Sequence, residues 1–386
     1  MGGLGTLRKR GRRSFEIRID VARDEKGKRK RRHVTFLGER EDAQKKLVEL
    51  LRERDTGSTI DPSKTTLGQY LDTWLSEIQV EPTTLQRYRQ LADNQIKPFI
   101  GGTILQELTT AGVKAWHKTL REKGRKQRRK DEETPRPLAD RTILHAHRCL
   151  ANALGDALEI RLIASNPAAD VSQPKVRNKK AIEILKAGEP RMILEKLAGH
   201  ELYSVSALAL ATGMRRGELL ALRWTDINMD RGIVRVERSL EELADGSLRF
   251  KPPKTESGTR SITIPPATVE MLRQHRKMQL EQRMLLGLGK PAADALVFPG
   301  IDGEPMSPDR LSWRWRNTCR SLGLPRVSFH ALRHTHASAL IAAKEDIVAI
   351  SRRLGHSKPS VTMDVYGHLY ERDDSSAALA IARILG

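Results

Sequence analysis

Apolar residues change their spacing along this chain, and each change marks a stretch that must fold around a core of its own. Phe15, Ile17, Ile19 and Val21 alternate with Glu16, Arg18 and Asp20, the period-two pattern of a strand with one apolar face. From Leu67 the spacing becomes three-and-four: Leu67, Tyr70, Leu71, Trp74, Leu75 and Ile78 form one stripe of an amphipathic helix. Beyond about residue 181 both patterns occur. At 386 residues the chain is too long for one ordinary core. The expectation is a multidomain protein, mainly α with small β-sheets.

Local signals set the boundaries. Asp24 to Gly27 is turn-like, Val34 to Leu37 supplies a returning strand, and residues 41–53 read as a helix with Ala43, Leu47, Leu50 and Leu51 on one face. Thr56 to Lys64 is a linker by composition, so the first domain is 1–62, a β-sheet plus a helix. Helices near 83–97, 110–122 and 139–160 continue the helical block, which closes at Asn166-Pro167 and gives a second, all-α domain over 65–172. In the third, 181–386, helices near 189–197 and 201–211 come first. Ile233–Val236, Ser247–Phe250 and Arg260–Ile264 then read as one small antiparallel sheet with a hairpin turn at Asp245-Gly246, and helices resume from about 267.

Charge narrows the partner. Sixty-nine Lys and Arg against 48 Asp and Glu leave +21, and a pI near 10.2 is the footprint of a nucleic-acid ligand. A membrane surface would attract the same charge, but no apolar run is long enough to span a bilayer and no secretory or lipidation signal is evident. A soluble, intracellular protein is expected. Residues 1–33 hold 13 basic against 4 acidic side chains, and Arg12, Arg13, Arg18, Arg31 and Arg32 around the strand pattern are candidate DNA contacts. Arg121 to Lys130 is basic at seven positions of ten, which adds Arg128 and Arg129. The competing readings are a disordered basic tail for the first segment and a solvated loop for the second. Cys149 and Cys319 fit no metal or redox spacing and read as packing residues.

Four short blocks carry the chemistry: Thr212-Gly213-Met214-Arg215, Lys254-Thr255, His330-Ala331-Leu332-Arg333, and Leu354-Gly355-His356 through Tyr366-Gly367-His368. Cations and imidazoles converging on one phenol suit transesterification of a phosphodiester, because charge on the phosphorus is neutralised while the phenol attacks. Thr212-Gly213 breaks a helix and can deliver Arg215 into a cleft, where its planar fork can hold two phosphate oxygens; Arg216 is the competing residue. His330 and Arg333, three apart on a helix, share a face. His330 and His334 also form H-x-x-x-H, but Ala331 stands where a zinc protease has its glutamate and no third ligand is evident. No metal is expected, and His334 and His336 read as helix-packing residues. His356 can donate to a non-bridging oxygen, and Tyr366 follows ten residues later; Tyr370 is the alternative nucleophile. The same segment also reads as a helix-turn-helix that would recognise DNA without catalysis.

In order and spacing these blocks resemble the active site of the tyrosine recombinases, and the N-terminal part most resembles the integrases of temperate phages and integrative elements within that family. The resemblance implies an arm-site DNA-binding domain over 1–62, a core-binding clamp over 65–172 and a mixed α/β catalytic domain over 181–386. It points to Arg215 rather than Arg216 as the catalytic arginine, with Glu218 as the acid that braces it. Lys254 would protonate the departing 5′ oxygen, Arg333 would be the second charge clamp, and His330 the hydrogen-bond partner or proton acceptor of the nucleophile. Tyr366 would form a 3′-phosphotyrosyl link during integration or excision of a mobile element. Because the link preserves the ester, no cofactor is implied, neither metal nor ATP. The implied partners are double-stranded DNA with core-type and arm-type sites, DNA-bending and excision factors, and a homotetramer in which the apolar tail from Ala377 to Leu385 docks on a neighbour. The implied location is the bacterial cytoplasm, in association with the nucleoid. A type IB topoisomerase would share the chemistry as a monomer. A noncatalytic DNA-binding regulator would need only the basic domain and the helix-turn-helix.

Overall fold

A computed structural model describes residues 5–23, 29–55, 62–125, 136–176, 182–253, 256–369 and 381–385. It divides into two units, 1–179 and 180–386, within the polar stretch that closes the helical block. Its architecture is mainly helical with small antiparallel sheets.

Alternation in the first unit does what period two requires. Strands β1 (Thr6–Gly11), β2 (Ser14–Arg23) and β3 (Arg29–Leu37) form an antiparallel sheet in that order. Phe15, Ile17 and Ile19 are buried on one face, and helix α1 (Arg40–Asp55) lays Leu47, Leu50 and Leu51 on a cluster shared with Leu7, Val34 and Phe36. Strand β1 was not anticipated. Its sequence, TLRKRG, carries one large apolar residue, and pairing to β2 from Thr6↔Arg18 to Gly11↔Ser14 holds it in place of a period of its own. On the face opposite the apolar cluster Glu16 accepts from His33 at 3.0 Å, Arg18 at 3.0 Å and Arg10 at 2.8 Å, and these contacts, His33 first, hold its carboxyl at about 2.

A separate cluster joins α2 (Leu67–Glu77), α3 (Pro82–Leu91), α4 (Lys97–Ile100), α5 (Thr110–Lys123) and α6 (Asp140–Glu159). Thr66 starts α2 with a capping box: its hydroxyl accepts from the Gln69 amide, and the Gln69 side chain accepts from the Thr66 amide. The apolar stripe read from the sequence faces α6, and Tyr70 and Trp74 in it donate to the Ala153 carbonyl and the Asp156 carboxylate. No helix among the described residues is long and apolar enough to cross a membrane.

The second unit begins with α7 (Glu189–Lys196), α8 (Tyr203–Thr212) and α9 (Arg216–Ala221). The strands that follow form two sheets where one was expected. Strand β5 (Ile233–Val236) lies between β4 (Ile227–Asn228) and β8 (Arg260–Thr263), while β6 (Ser239–Glu242) pairs with β7 (Leu248–Lys251) as a separate hairpin. The Asp245-Gly246 turn joins β6 to β7, with Gly246 at φ +82, so 248–251 is committed to its hairpin partner and cannot ladder with β5. Helices α10 (Pro266–Leu285), α11 (Pro308–Ser321), α12 (Ala331–Ala342), α13 (Ile347–Leu354) and α14 (Pro359–Tyr366) follow. Its main cluster runs from Leu185 to Leu332, and Ala337, Ile341, Ile350, Leu354 and Tyr366 form a smaller one among the last three helices.

Candidate active site

Two turns build the site. The first ends α8 at Gly213, whose φ of +66 favours glycine and where a Cβ would lie 2.6 Å from the His336 ring. It sets Arg215 at the N-cap of α9 with an extended backbone and 43% of its side chain exposed. One Arg215 nitrogen donates to Glu218 at 2.9 Å and another to the Gly355 carbonyl at 3.1 Å, so the fork is aimed while three of its five donors remain. Glu218 is 4% exposed and also accepts from Arg260, at 2.8 and 3.2 Å. Burial opposes the Glu218 charge, but the hydrogen bonds and charge of Arg260, together with Arg215, keep its pKa below the usual carboxylate range.

Arg260 itself is 6% exposed, and its Nε donates to the Arg353 carbonyl at 2.7 Å. It was not singled out by sequence, yet it shares a face of β8 with buried Ile262, and an arginine in a core-facing slot calls for a buried acid. Removing one partner of a buried ion pair strands the other, so Arg260→Ala should lower stability by about 3 to 5 kcal/mol in urea unfolding. A loss below about 1 kcal/mol, within the range of ordinary surface changes, would show that Glu218 does not depend on it.

The second turn follows α13, where Gly355 at φ +67 leads into His356. Arg333 ties the two turns together. It is 3% exposed and donates to the Gly213 carbonyl at 2.6 Å, the Leu354 carbonyl at 2.7 Å and His356 Nε2 at 3.0 Å. Burial, then the charge of Arg215, brings its pKa down to about 9, which leaves it a cation at neutral pH. Since His356 Nε2 accepts, its proton sits on Nδ1 and faces the Thr362 hydroxyl at 2.7 Å. Burial, then the charges of Arg333, Arg215 and Arg260, push this histidine to about 4, so the ring is neutral. Here it helps to orient Arg333.

Tyr366, the last residue of α14, is 1% exposed within the small apolar cluster. Its phenol oxygen lies 2.7 Å from His334 Nδ1, with the rings 5.6 Å apart at 63°. Burial pushes the phenol up to about 12, against the pull of Arg333. His334 was expected only to pack, whereas it is the hydrogen-bond partner of this tyrosine. His330, expected to share the Arg333 face, stands exposed at the N-cap of α12 with its ring edge-on to His334 at 4.7 Å. Partial desolvation, then the charges of His334, Arg333 and Arg215, lowers the His330 pKa. The H-x-x-x-H spacing held the missed signal, because residues four apart on a helix cover one surface.

Lys254, Arg128 and Arg129 lie outside the described residues. Arg12 and Arg13 are exposed at the β1–β2 turn of the first unit, Arg13 paired with Glu39, while Arg18 is half-buried on Glu16. Arg31 and Arg32 stand on β3 opposite Asp20 and Ile19. A basic surface that the sequence did not reveal adjoins His330: a groove of about 850 Å³ lined by Arg216, Trp313, Arg316, Arg320 and Arg326. Its arginines come from α9, α11 and the loop before α12, so no run of charge announces them. Among the described residues no group of three His, Cys, Asp or Glu could hold a metal ion.

Residues 200–372 match the Phage integrase family and residues 66–121 the N-terminal SAM-like domain of phage integrases. A tyrosine recombinase XerC-like protein of Caldanaerobacter subterraneus subsp. tengcongensis is 27% identical over 96% of both chains. The integrase of Mycobacterium phage L5 is 28% identical over 88% of this chain and 86% of its own, and the ICEBs1 integrase of Bacillus subtilis 26% over 78% of each. Among solved structures, the Tn1549 transposon integrase in complex with transposon right end DNA superposes with a TM-score of 0.68 at 21% identity, over 83% of this chain and 100% of that one. A lambda integrase dimer bound to a core site gives 0.55 at 19% identity, over 96% and 95%. These structural likenesses concern the fold.

Proposed function

The chain belongs to the phage integrase family of tyrosine recombinases and is a site-specific DNA recombinase; we propose that Tyr366 is its nucleophile and that Arg215, His330, Arg333 and His356 serve the same phosphate. The observation that carries this reading is the Arg333 side chain, whose hydrogen bonds join the Gly213 turn to the Leu354–His356 turn beside the buried phenol. Two separate sequence blocks are thereby held around one cationic centre, with the tyrosine of a third element next to it.

In the proposed step the Tyr366 oxygen attacks the scissile phosphorus and loses its proton. The bond from phosphorus to the 5′ oxygen breaks, and that oxygen takes a proton, which the resemblance assigns to Lys254. Arg215 and Arg333 carry opposite faces of the load: Arg215 presents an exposed fork, and Arg333 a buried charge undiluted by water. Rejoining is the reverse attack by a 5′ hydroxyl from a partner duplex. The groove of Arg216, Trp313, Arg316, Arg320 and Arg326 would receive the flanking backbone, since such contacts position a duplex without reading it. A solved lambda integrase tetramer is bound to a Holliday junction; four copies of this chain on two duplexes are the corresponding assembly. Residues 1–62, 65–172 and 181–386 would then read arm DNA, clamp core DNA and cut.

A nicked core-site duplex whose 5′ fragment diffuses away tests the reading, because cleavage then leaves a protein–DNA adduct that resists denaturant. An adduct is expected in the presence of EDTA; no adduct on any core-site duplex would overturn the reading. A chain lacking residues 1–62 should still form it yet fail to recombine full attachment sites, because joining arm and core DNA supplies the effective concentration that assembles the complex. Its binding to arm-containing DNA should also lose salt dependence, by about 0.9 in log-log slope for each phosphate contact removed. Full recombination by the shortened chain would demote that segment to a dispensable tail.

A further inference from the structure

We propose that His334 is the base of the reaction: its Nδ1 takes the phenolic proton as the Tyr366 oxygen bonds to phosphorus, and returns it when the phosphotyrosyl link is resolved. The inference rests on the tyrosine recombinase reading and adds a residue that the motifs leave aside. It starts from the 2.7 Å hydrogen bond between His334 Nδ1 and the phenol oxygen, while His330 lies one ring further out.

The geometry also sets which element the ring faces. Arg333 turns its fork to the Gly213 and Leu354 carbonyls, and His334, the next residue and 100° around α12, turns to α14. Neighbours set its protonation state: burial and then Arg333 disfavour the imidazolium, while Glu183, ahead of α7, favours it, and the net direction is down. At neutral pH the ring is therefore a free base and can accept. The phenol needs such a partner, because a group at about 12 is ionised to only about one part in 100,000 at pH 7. In the balanced step the O–H electrons form the bond to phosphorus, the proton moves to Nδ1, and the electron pair of the broken P–O bond leaves on the 5′ oxygen.

Adduct formation on the nicked duplex, timed in single turnover, tests this. In His334→Asn the side-chain amide can keep a hydrogen bond to the phenol but cannot take its proton, so cleavage at pH 7 should fall about 100-fold, the lower end of general-base effects. Wild-type rate should be flat between pH 7 and 9, whereas the variant should gain about tenfold per pH unit as free phenolate replaces the missing base. His334→Ala should regain activity with added imidazole. A variant as fast as wild type with a flat profile, or a slow one with neither pH slope nor imidazole rescue, would overturn the role of His334 while the adduct on the wild-type protein kept the family reading intact. Absence of any wild-type adduct would take both down.

Discussion

Tyr366→Phe is expected to abolish the covalent adduct while leaving duplex binding within a few fold. The substitution removes one oxygen and no charge, so the cationic groove and the arginine clamp keep their attraction for phosphate. Phenylalanine also suits the pocket: Ala337, Ile341, Ile350 and Leu354 surround a ring that is already 1% exposed, and the lost contact is one hydrogen bond to His334. Leaving that half-buried nitrogen unpaired costs about 1 to 3 kcal/mol, small for a domain of this size and visible as a modest shift in thermal unfolding. The adduct gel and a binding titration on the same duplex separate chemistry from recognition. An adduct that persists would move the nucleophile to another tyrosine, with Tyr370 the first to test; loss of binding together with the adduct would mean that the phenol supports the fold and carries no chemistry.

Much of this arrangement was legible before any coordinates. Periodicity gave β2 because alternate residues really are buried, and gave α2 because its stripe faces α6. Arg215, Arg333 and His356, singled out by chain order, meet at the Gly213 and Gly355 turns, and Tyr366 lies against His334, the neighbour of Arg333 in sequence. What stayed hidden has a common physical character: it depends on where a side chain points. Strand β1 draws its order from a partner, the split of the 227–263 strands into two sheets depends on which edge a hairpin faces, and Arg260 is meaningful only once Glu218 is known to lie beneath it. His334 was the most instructive miss. Adjacent to Arg333 in sequence, it was assigned to packing, although adjacent helical residues point 100° apart and can serve two different elements. Likewise the contact of the His356 ring with Arg333 depends on the direction of both side chains, which spacing does not show.

Arg333→Ala should produce the largest combined loss, because one side chain is asked to hold the architecture and the charge. Three donated hydrogen bonds end on the Gly213 carbonyl, the Leu354 carbonyl and His356, which leaves two of the five guanidinium donors for a phosphate oxygen. Deleting the group strands buried acceptors at about 1 to 3 kcal/mol each, loosens both turns, and removes a charge donor whose loss alone costs about 100- to 1,000-fold in rate. Folding and chemistry would fail together in alanine, so lysine is the informative substitution. Arg333→Lys keeps the cation within reach of the same carbonyls but offers three donors on one atom in place of a planar fork. It cannot bridge two turns and still present a free edge to the substrate. The expected result is a protein whose thermal midpoint moves by a few degrees, whose duplex binding is retained, and whose single-turnover cleavage is about 100-fold slower. Cleavage by Arg333→Lys at the wild-type rate would show that charge alone suffices at this position, and would remove the shared fork from the account of how the two turns make one site.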